Sequence, residues 1–380
     1  MKNLILGYNR GKNKWQCLQK ALENCDVVTE DFDKIKGPYD RIYTVAESLL
    51  PIQAKLEKEW GLNNVSEKAA DILSDKKKMD DFCITIGLQS LIPYSVIPTS
   101  PKDLNYWEDK PFIIKPIIGS GAKPGGLNYT YFKNKKEFLD LNDSSLYKSW
   151  EDPAFNNRLN HYMVQDKLPD EAELWGSYYY VNESGVLKNL LWVRGKCREG
   201  RNVEFMSFDK KDVPKDIVYQ SNNFFERLVA TLRLKNMFFS GPDFYKWKDN
   251  IKINIKMIDC NPRIGQGLQQ MDDVHNNTII PKILQNKTFS YDKQIYWVLS
   301  NLKPGKIESV KDVSHLKEYW CQTNNDKLRP GETIPKSLHL TSEKVPRIAF
   351  LITGTNESDM LKTYQTVNSK LQDCITYSTQ

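Results

Sequence analysis

The stretch at residues 251–267, IKINIKMIDCNPRIGQG, limits the folds open to this chain more than any other. Ile251, Ile253, Ile255 and Met257 alternate with Lys252, Asn254 and Lys256, the period of a strand with one apolar face. Continuing that parity puts Asp259 and Asn261 on the buried side. An inward carboxylate and amide need partners, because an unpaired buried charge is strongly unfavourable. Upstream, a turn at Asp249 and Asn250 folds a preceding strand, carrying Asp243, back on this one. That turn pairs Asp243 with Lys256 and faces it away from Asp259. Both acids can serve one site only if the loop is odd in length or a strand is bulged. Two Asp and an Asn suit Mg²⁺, which takes oxygen ligands from one or two carboxylates plus phosphates. Arg263, next with the same parity, can then reach a phosphoryl oxygen.

Composition removes several classes. The chain has 380 residues, 40% of them apolar and 27% charged, which excludes disorder and fibre and allows two or three cores. No apolar run approaches the roughly 18 residues a membrane-spanning helix needs, and the N-terminus has no export signal, so no membrane partner is expected. The net charge of +6 comes from 54 basic residues interleaved with 48 acidic ones, a mixed surface rather than a nucleic-acid footprint. Seven scattered cysteines form no CxxC pair or zinc spacing, and buried reduced thiols favour a cytoplasmic location.

Short apolar bursts and helical stretches alternate over the first 70 residues, a small parallel α/β unit. A Lys- and Asp-rich helix covers residues 75–86, and strands are expected at residues 91–97, broken by Pro93, and at residues 111–116. The second strand ends in Lys115 and opens into Gly119, Ser120 and Gly121, the start of a glycine-rich turn whose N–H groups can converge on phosphate oxygens. Pro-Gly signals near residues 304 and 330 and a helix at residues 358–371 mark a C-terminal module. Arg194, Lys196 and Arg198 share one strand parity and form a candidate cationic wall for a planar anion.

Taken together, these residues resemble the ATP-grasp superfamily. Asp259, Asn261, Pro262 and Arg263 look like its metal-binding E-x-N-P-R signature, with Asp where Glu is usual. Asp75 and Lys76, with Gly87 eleven residues after the lysine, are similar to the start of the grasp core, and Lys115 to its second phosphate lysine. The resemblance implies a mixed α/β and α+β fold: a short N-terminal α/β domain at 1–72, an ATP-grasp domain at 73–290 with a lid at about 112–170, and a C-terminal domain at 291–380. It implies ATP with Lys76 and Lys115 on the phosphates, closed over by Gly119, Ser120 and Gly121. Gln165, Asp166, Lys167 and Leu168 then form the strand whose backbone meets adenine, and Glu173 binds the ribose. Asp243, Asp259 and Asn261 hold two Mg²⁺, with Mn²⁺ as a substitute. Arg263, Lys196 and Arg198 are the expected catalytic residues. Within the superfamily the layout resembles the carbamoyl-phosphate synthetase, biotin carboxylase and amino-acid ligase branch.

The resemblance implies a ligase joining a small carboxylate to an amine through an acyl phosphate, releasing ADP and phosphate. A bicarbonate-using carboxylase or carbamoyl-phosphate-type synthetase, and a regulatory protein that binds ATP without turnover, are the alternatives. A homodimer is a default expectation.

Overall fold

A computed structural model describes residues 1–8, 12–118, 130–140, 162–198, 201–250, 252–300, 302–321, 328–334 and 348–378. The chain divides into two compact units, residues 1–192 with 209–289 and residues 193–208 with 290–380.

The first unit opens with β1 (Asn3–Leu6), α1 (Lys12–Ala21), β2 (Cys25–Val28) and β3 (Arg41–Thr44). The strands form a parallel sheet in the order β2-β1-β3. Leu4, Ile5 and Leu6 are all fully buried, as expected of a central parallel strand covered on both faces. A 3₁₀ turn at Glu47–Leu49 leads into α2 (Leu50–Glu59), with Pro51 in the first turn, where its missing N–H costs nothing. Next come α3 (Glu67–Ser74) and α4 (Lys76–Thr85). Ser66 caps α3 by accepting from the Ala69 N–H, and Asp75 caps α4 by accepting from the Lys78 N–H at 2.9 Å.

A second, antiparallel sheet follows: β4 (Ser95–Val96), β5 (Phe112–Pro116), β6 (Thr130–Phe132), α5 (Lys135–Leu139) and β7 (Tyr162–Asp166), with the strands ordered β4-β7-β5-β6. Phe112, Ile114, Phe132 and Val164 pack one face against Leu104, Trp107 and Phe138. The strand expected at residues 91–97 shrinks to Ser95–Val96, because a 3₁₀ turn occupies Gln89–Leu91 ahead of Pro93.

β8 (Glu173–Val181), β9 (Leu187–Arg198) and β10 (Arg201–Phe208) precede α6 (Lys215–Leu232), the long hairpin β11 (Met237–Asp249) and β12 (Lys252–Asn261), and helices α7 (Gln266–Val274) and α8 (Ile279–Leu284). β11 pairs with β12 on one side and β8 on the other, antiparallel to both. Phe225 of α6 packs at a tilt of 41° against Tyr179 of β8, with ring centroids 4.2 Å apart.

The second unit contains β13 (Gln294–Leu299), β14 (Gly305–Val310), β15 (Trp320–Cys321), β16 (Thr333–Ile334), β17 (Ala349–Gly354), α9 (Glu357–Asp373) and β18 (Ile375–Tyr377). β10, β13, β17 and β15 pair in that order, and β16, β14 and β18 form a small sheet. Met206, Phe350, Ile352, Met360, Val367 and Leu371 lie in its core. No helix among the described residues is long and apolar enough to cross a membrane.

Candidate functional site

The β11–β12 hairpin builds the acidic end of the site. Asp249 pairs with Lys252, so the turn lies one residue later than the sequence reading placed it, and Ile251 is outside the described residues. Pairing runs regularly from there to Phe244 opposite Met257, and Lys256 faces Tyr245 rather than Asp243. The next pair is Asp243 opposite Asp259, which leaves Ile258 as an extra residue on β12; the register recovers at Ser240 opposite Asn261 by an extra residue on β11. The bulge that the parity required is therefore present, and it sets the two carboxylates face to face. Gly241 allows it: at φ 115°, a Cβ there would stand 2.9 Å from the Cys260 Cα. The apolar parity expected of β12 fails toward the turn, where Ile253 is 53% exposed because the hairpin tip projects beyond the core.

Cations converge on this pair. The Lys76 ammonium, at the start of α4, lies 3.8 Å from Asp259. The Lys76 N–H also donates to the Ile117 carbonyl, tying α4 to the end of β5. Lys115 is 2% exposed and donates to the Ile258 carbonyl at 2.8 Å. Burial lowers the Lys115 ammonium below its usual range, against the upward pull of Asp80 and Asp259. Burial would raise Asp259, but Lys76, Lys115, the Asn261 amide and Arg263 together hold its carboxyl below the usual value. Asp243 goes the other way: burial and then the Asp259 charge push it up to about 7, against Arg263. Two like charges at close range separate in this way, one ionised and one held toward its neutral form.

Asn261 donates from Nδ2 to Asp259 at 3.1 Å, and its buried Oδ1 has no hydrogen-bond partner. An orphan amide oxygen beside two facing carboxylates is an oxygen-only donor set that fits a hard divalent cation. Among the described residues no group of three His, Cys, Asp or Glu side chains converges at metal spacing, so the fit rests on Asp243, Asp259 and Asn261 alone.

Arg263 is anchored by a residue the sequence reading missed. Its Nε donates to the Glu47 carboxylate at 2.7 Å, with both side chains about nine-tenths buried. Glu47 sits on the 3₁₀ turn after β3, so the N-terminal sheet supplies a wall of the site. Nothing near residue 47 in sequence signals this contact, which spans 216 positions. Glu47, Lys76, Asp80, Asp259 and Asn261 line a cavity of about 20 Å³, room for about one water. Behind them Tyr178 is buried against α7, where the Gly267 N–H donates to its hydroxyl at 3.2 Å.

The remaining expected residues divide. Gln165 is fully buried on β7, opposite Ile113 of β5 and Ser95 of β4. Residues directly opposite share a face, so Gln165 lies on the face that carries Lys115. Both of its amide atoms are buried without a partner, an omission worth about 1–3 kcal/mol per group. Asp166 faces the opposite side, where Trp107 Nε1 donates to it at 2.8 Å. The Asp166 and Lys167 N–H groups donate to the carbonyls of Tyr94 and Pro111, so those donors, expected to meet a base, are taken by the protein. Lys167 also pairs with Asp170, and Leu168 is half-buried. A groove of about 760 Å³ runs along Asp166–Leu168 and is walled by Tyr94, Tyr106 and Trp247. Glu173 is exposed and accepts from Trp175 Nε1 at 3.1 Å.

Gly119, Ser120 and Gly121 lie outside the described residues. Lys196 and Arg198 belong to the second unit, where Lys196 is exposed and the Arg198 side chain is outside the description. Arg194, expected in the same cationic wall, instead pairs with Glu357 of α9 and lies over the Phe208 ring within that unit. The described cysteines are all free, and burial pushes the Cys83 thiol up to about 12, far from reactive.

No family model and no curated protein matches this chain at the level of sequence. Solved structures do match. An L-amino acid ligase from Bacillus licheniformis superposes with a TM-score of 0.67 at 13% identity, over 100% of this chain and 99% of its own. An N5-carboxyaminoimidazole synthetase from Staphylococcus aureus, solved with ADP, gives 0.64 at 10% identity, over 97% of each chain. This chain has the ATP-grasp fold. A phosphoribosylglycinamide synthetase from Anaerococcus prevotii matches with a TM-score of 0.56 at 13% identity, over 100% of this chain and 99% of its own.

Proposed function

We propose that this protein is an ATP-dependent ligase that joins a small carboxylate to an amine through an acyl phosphate. The observation that carries the reading is the meeting of Asp243, Asp259 and Asn261 with Lys76, Lys115 and Arg263 in one buried place, on the fold shared with an L-amino acid ligase. Phosphoryl transfer asks mostly for positioning and charge neutralisation, which this set can provide.

Lys76 and Lys115 are the groups for the phosphate oxygens, and a nucleotide would take over the charge they now share with Asp259. Asp243, Asp259 and Asn261 would hold Mg²⁺, which when bound neutralises phosphate charge and aligns the γ-phosphoryl group. Arg263, held by Glu47, presents a fork donor that can steady the transferring phosphoryl group. A carboxylate oxygen of the substrate attacks the γ-phosphorus and ADP leaves. The amine then attacks the acyl carbon and phosphate leaves, forming the amide. Burial of the cluster excludes water from the activated intermediate.

The test is ADP release from ATP and Mg²⁺, with pooled amino acids and bicarbonate supplied separately and Asp259→Ala as the blank. Release that needs the amino acids and vanishes in the variant supports the ligase. Release driven by bicarbonate alone moves the reading to the carboxylase type of its N5-carboxyaminoimidazole synthetase neighbour. ATP binding without release under any condition favours a regulatory protein.

A further inference from the structure

We propose that Gln165 reads the base of the bound nucleotide through its side chain and, being an amide, accepts 6-amino and 6-oxo purines alike. The inference rests on the nucleotide reading above and concerns its substrate class. Gln165 is wholly buried, yet neither its amide oxygen nor its amide nitrogen has a hydrogen-bond partner. A buried group that is donor and acceptor at once, with both functions unmet, is matched by a ligand edge that offers both.

Its place in the sheet says which ligand edge. Ile113 stands opposite Gln165, and Lys115, two residues along the same strand, points from the same face to the Ile258 carbonyl of β12. Ser95, opposite Gln165 on its other side, donates to Asp80 of α4 at 3.0 Å. Gln165 therefore looks toward α4 and β12, and it is the diagonal cross-strand neighbour of Lys115, a backbone spacing of about 7–8 Å. A planar ring bonded at Gln165 has its phosphates on the Lys115 side.

The chemistry of the amide sets the selectivity. Turned one way, its carbonyl accepts from an exocyclic amino group; turned the other, its NH₂ donates to an exocyclic oxygen. An ionised carboxylate at the same position could only accept, so it would favour the amino base and repel the oxo base. Both amide orientations are open because no protein group holds either end.

Dissociation constants for ATP, GTP and CTP, measured calorimetrically on the full chain and on Gln165→Glu and Gln165→Met, test this. The wild type is expected to bind ATP and GTP within about tenfold of one another, with CTP at least about tenfold weaker than either. Gln165→Glu should keep ATP and lose GTP by about tenfold or more, and Gln165→Met should weaken both purines to a similar degree. A wild type that prefers ATP over GTP by more than about a hundredfold overturns the inference and leaves the nucleotide reading standing. So does a Gln165→Glu variant that folds and leaves the ATP-to-GTP ratio unchanged. Should Gln165→Glu fail to fold, Gln165→Met decides, and unchanged purine affinity in it overturns the inference. A wild type that binds no nucleotide overturns the nucleotide reading itself, and this inference with it.

Discussion

Two regions of the first unit bury acids, and they do so in opposite ways. At the end of α2, Glu57 is fully buried and accepts from the backbone N–H groups of Asn64 and Val65 and from the side chains of Gln53 and Asn64. At the bulged hairpin, Asp243 and Asp259 face one another and depend on two lysines carried by distant elements and on Arg263, just past the end of β12. The first acid closes a loop with both oxygens taken by protein donors, although the Gln53 Oε1 beside it has no partner. The second pair sets two carboxylates opposite one another beside an Asn261 oxygen that has no partner. Depth of burial does not separate the two regions; backbone and amide donors surround the first acid, and side-chain cations surround the second pair.

The sharpest way to break this comparison is Asp259→Ala, expected to lower substrate-dependent ADP release by about a thousandfold while the chain keeps its melting transition. Unchanged release would mean that the hairpin acids are as structural as Glu57. Glu57→Ala should do the reverse. It leaves two buried N–H groups unpaired and should lower unfolding free energy in urea by about 2–4 kcal/mol, with nucleotide affinity of the folded protein intact. A loss of affinity without a loss of stability would put Glu57 in the wrong class.

Glu47 falls between the two, a buried acid whose partner is the guanidinium of the site. Glu47→Gln is expected to slow turnover by about 10- to 100-fold through a displaced Arg263, with the ATP dissociation constant unchanged. An altered ATP affinity with normal turnover would refute that role.

The smallest effect is reserved for Asp272, a second acid held by backbone N–H groups, through one of its two oxygens. Its Oδ1 accepts from the N–H groups of Ile279 and Ile280 at 2.7 and 2.9 Å, while Oδ2 has no partner. Burial raises its carboxyl above the usual value of 3.8; the two N–H groups and Lys20 oppose the rise, and Asp273 adds to it. A raised acid favours folding most when both states are protonated, so its contribution is full below the unfolded value and is lost as pH climbs through the folded one. Asp272→Asn keeps Oδ1 and removes the titration. From pH 4 to pH 7 the melting temperature of the variant should rise relative to that of the wild type, because the wild type alone loses the Asp272 contribution over that interval; a relative fall would contradict the assignment.

Much of the acidic site is readable from residue order alone. The alternation before Asp259 marks a strand, and the parity conflict with Asp243 demands an irregular register. Which residue is extra cannot be read there, because Ile258 and Met257 look alike as apolar strand residues and only the pairing selects one. The helix that starts at Asp75 is a local feature and is visible, whereas Glu47 reaches Arg263 through a contact that only the packed N-terminal sheet brings about. Gln165 lies in a stretch the motif marks, but its side chain becomes informative only once its burial and its neighbours Ile113 and Ser95 are known. The break at Pro93 in the stretch 91–97 is local and legible, whereas the 3₁₀ turn that takes Leu91 out of the strand is not.

The turn beyond β12 has a further consequence. A Cβ at Gly265 would meet the Ser240 hydroxyl at 2.3 Å, and one at Gly267 would meet the Tyr178 hydroxyl at 2.6 Å. Neither approach leaves room for a methyl group. In a randomised library spanning this turn, those two columns would return glycine alone, so the segment that follows the acidic strand has almost no freedom to drift even while its neighbours diversify.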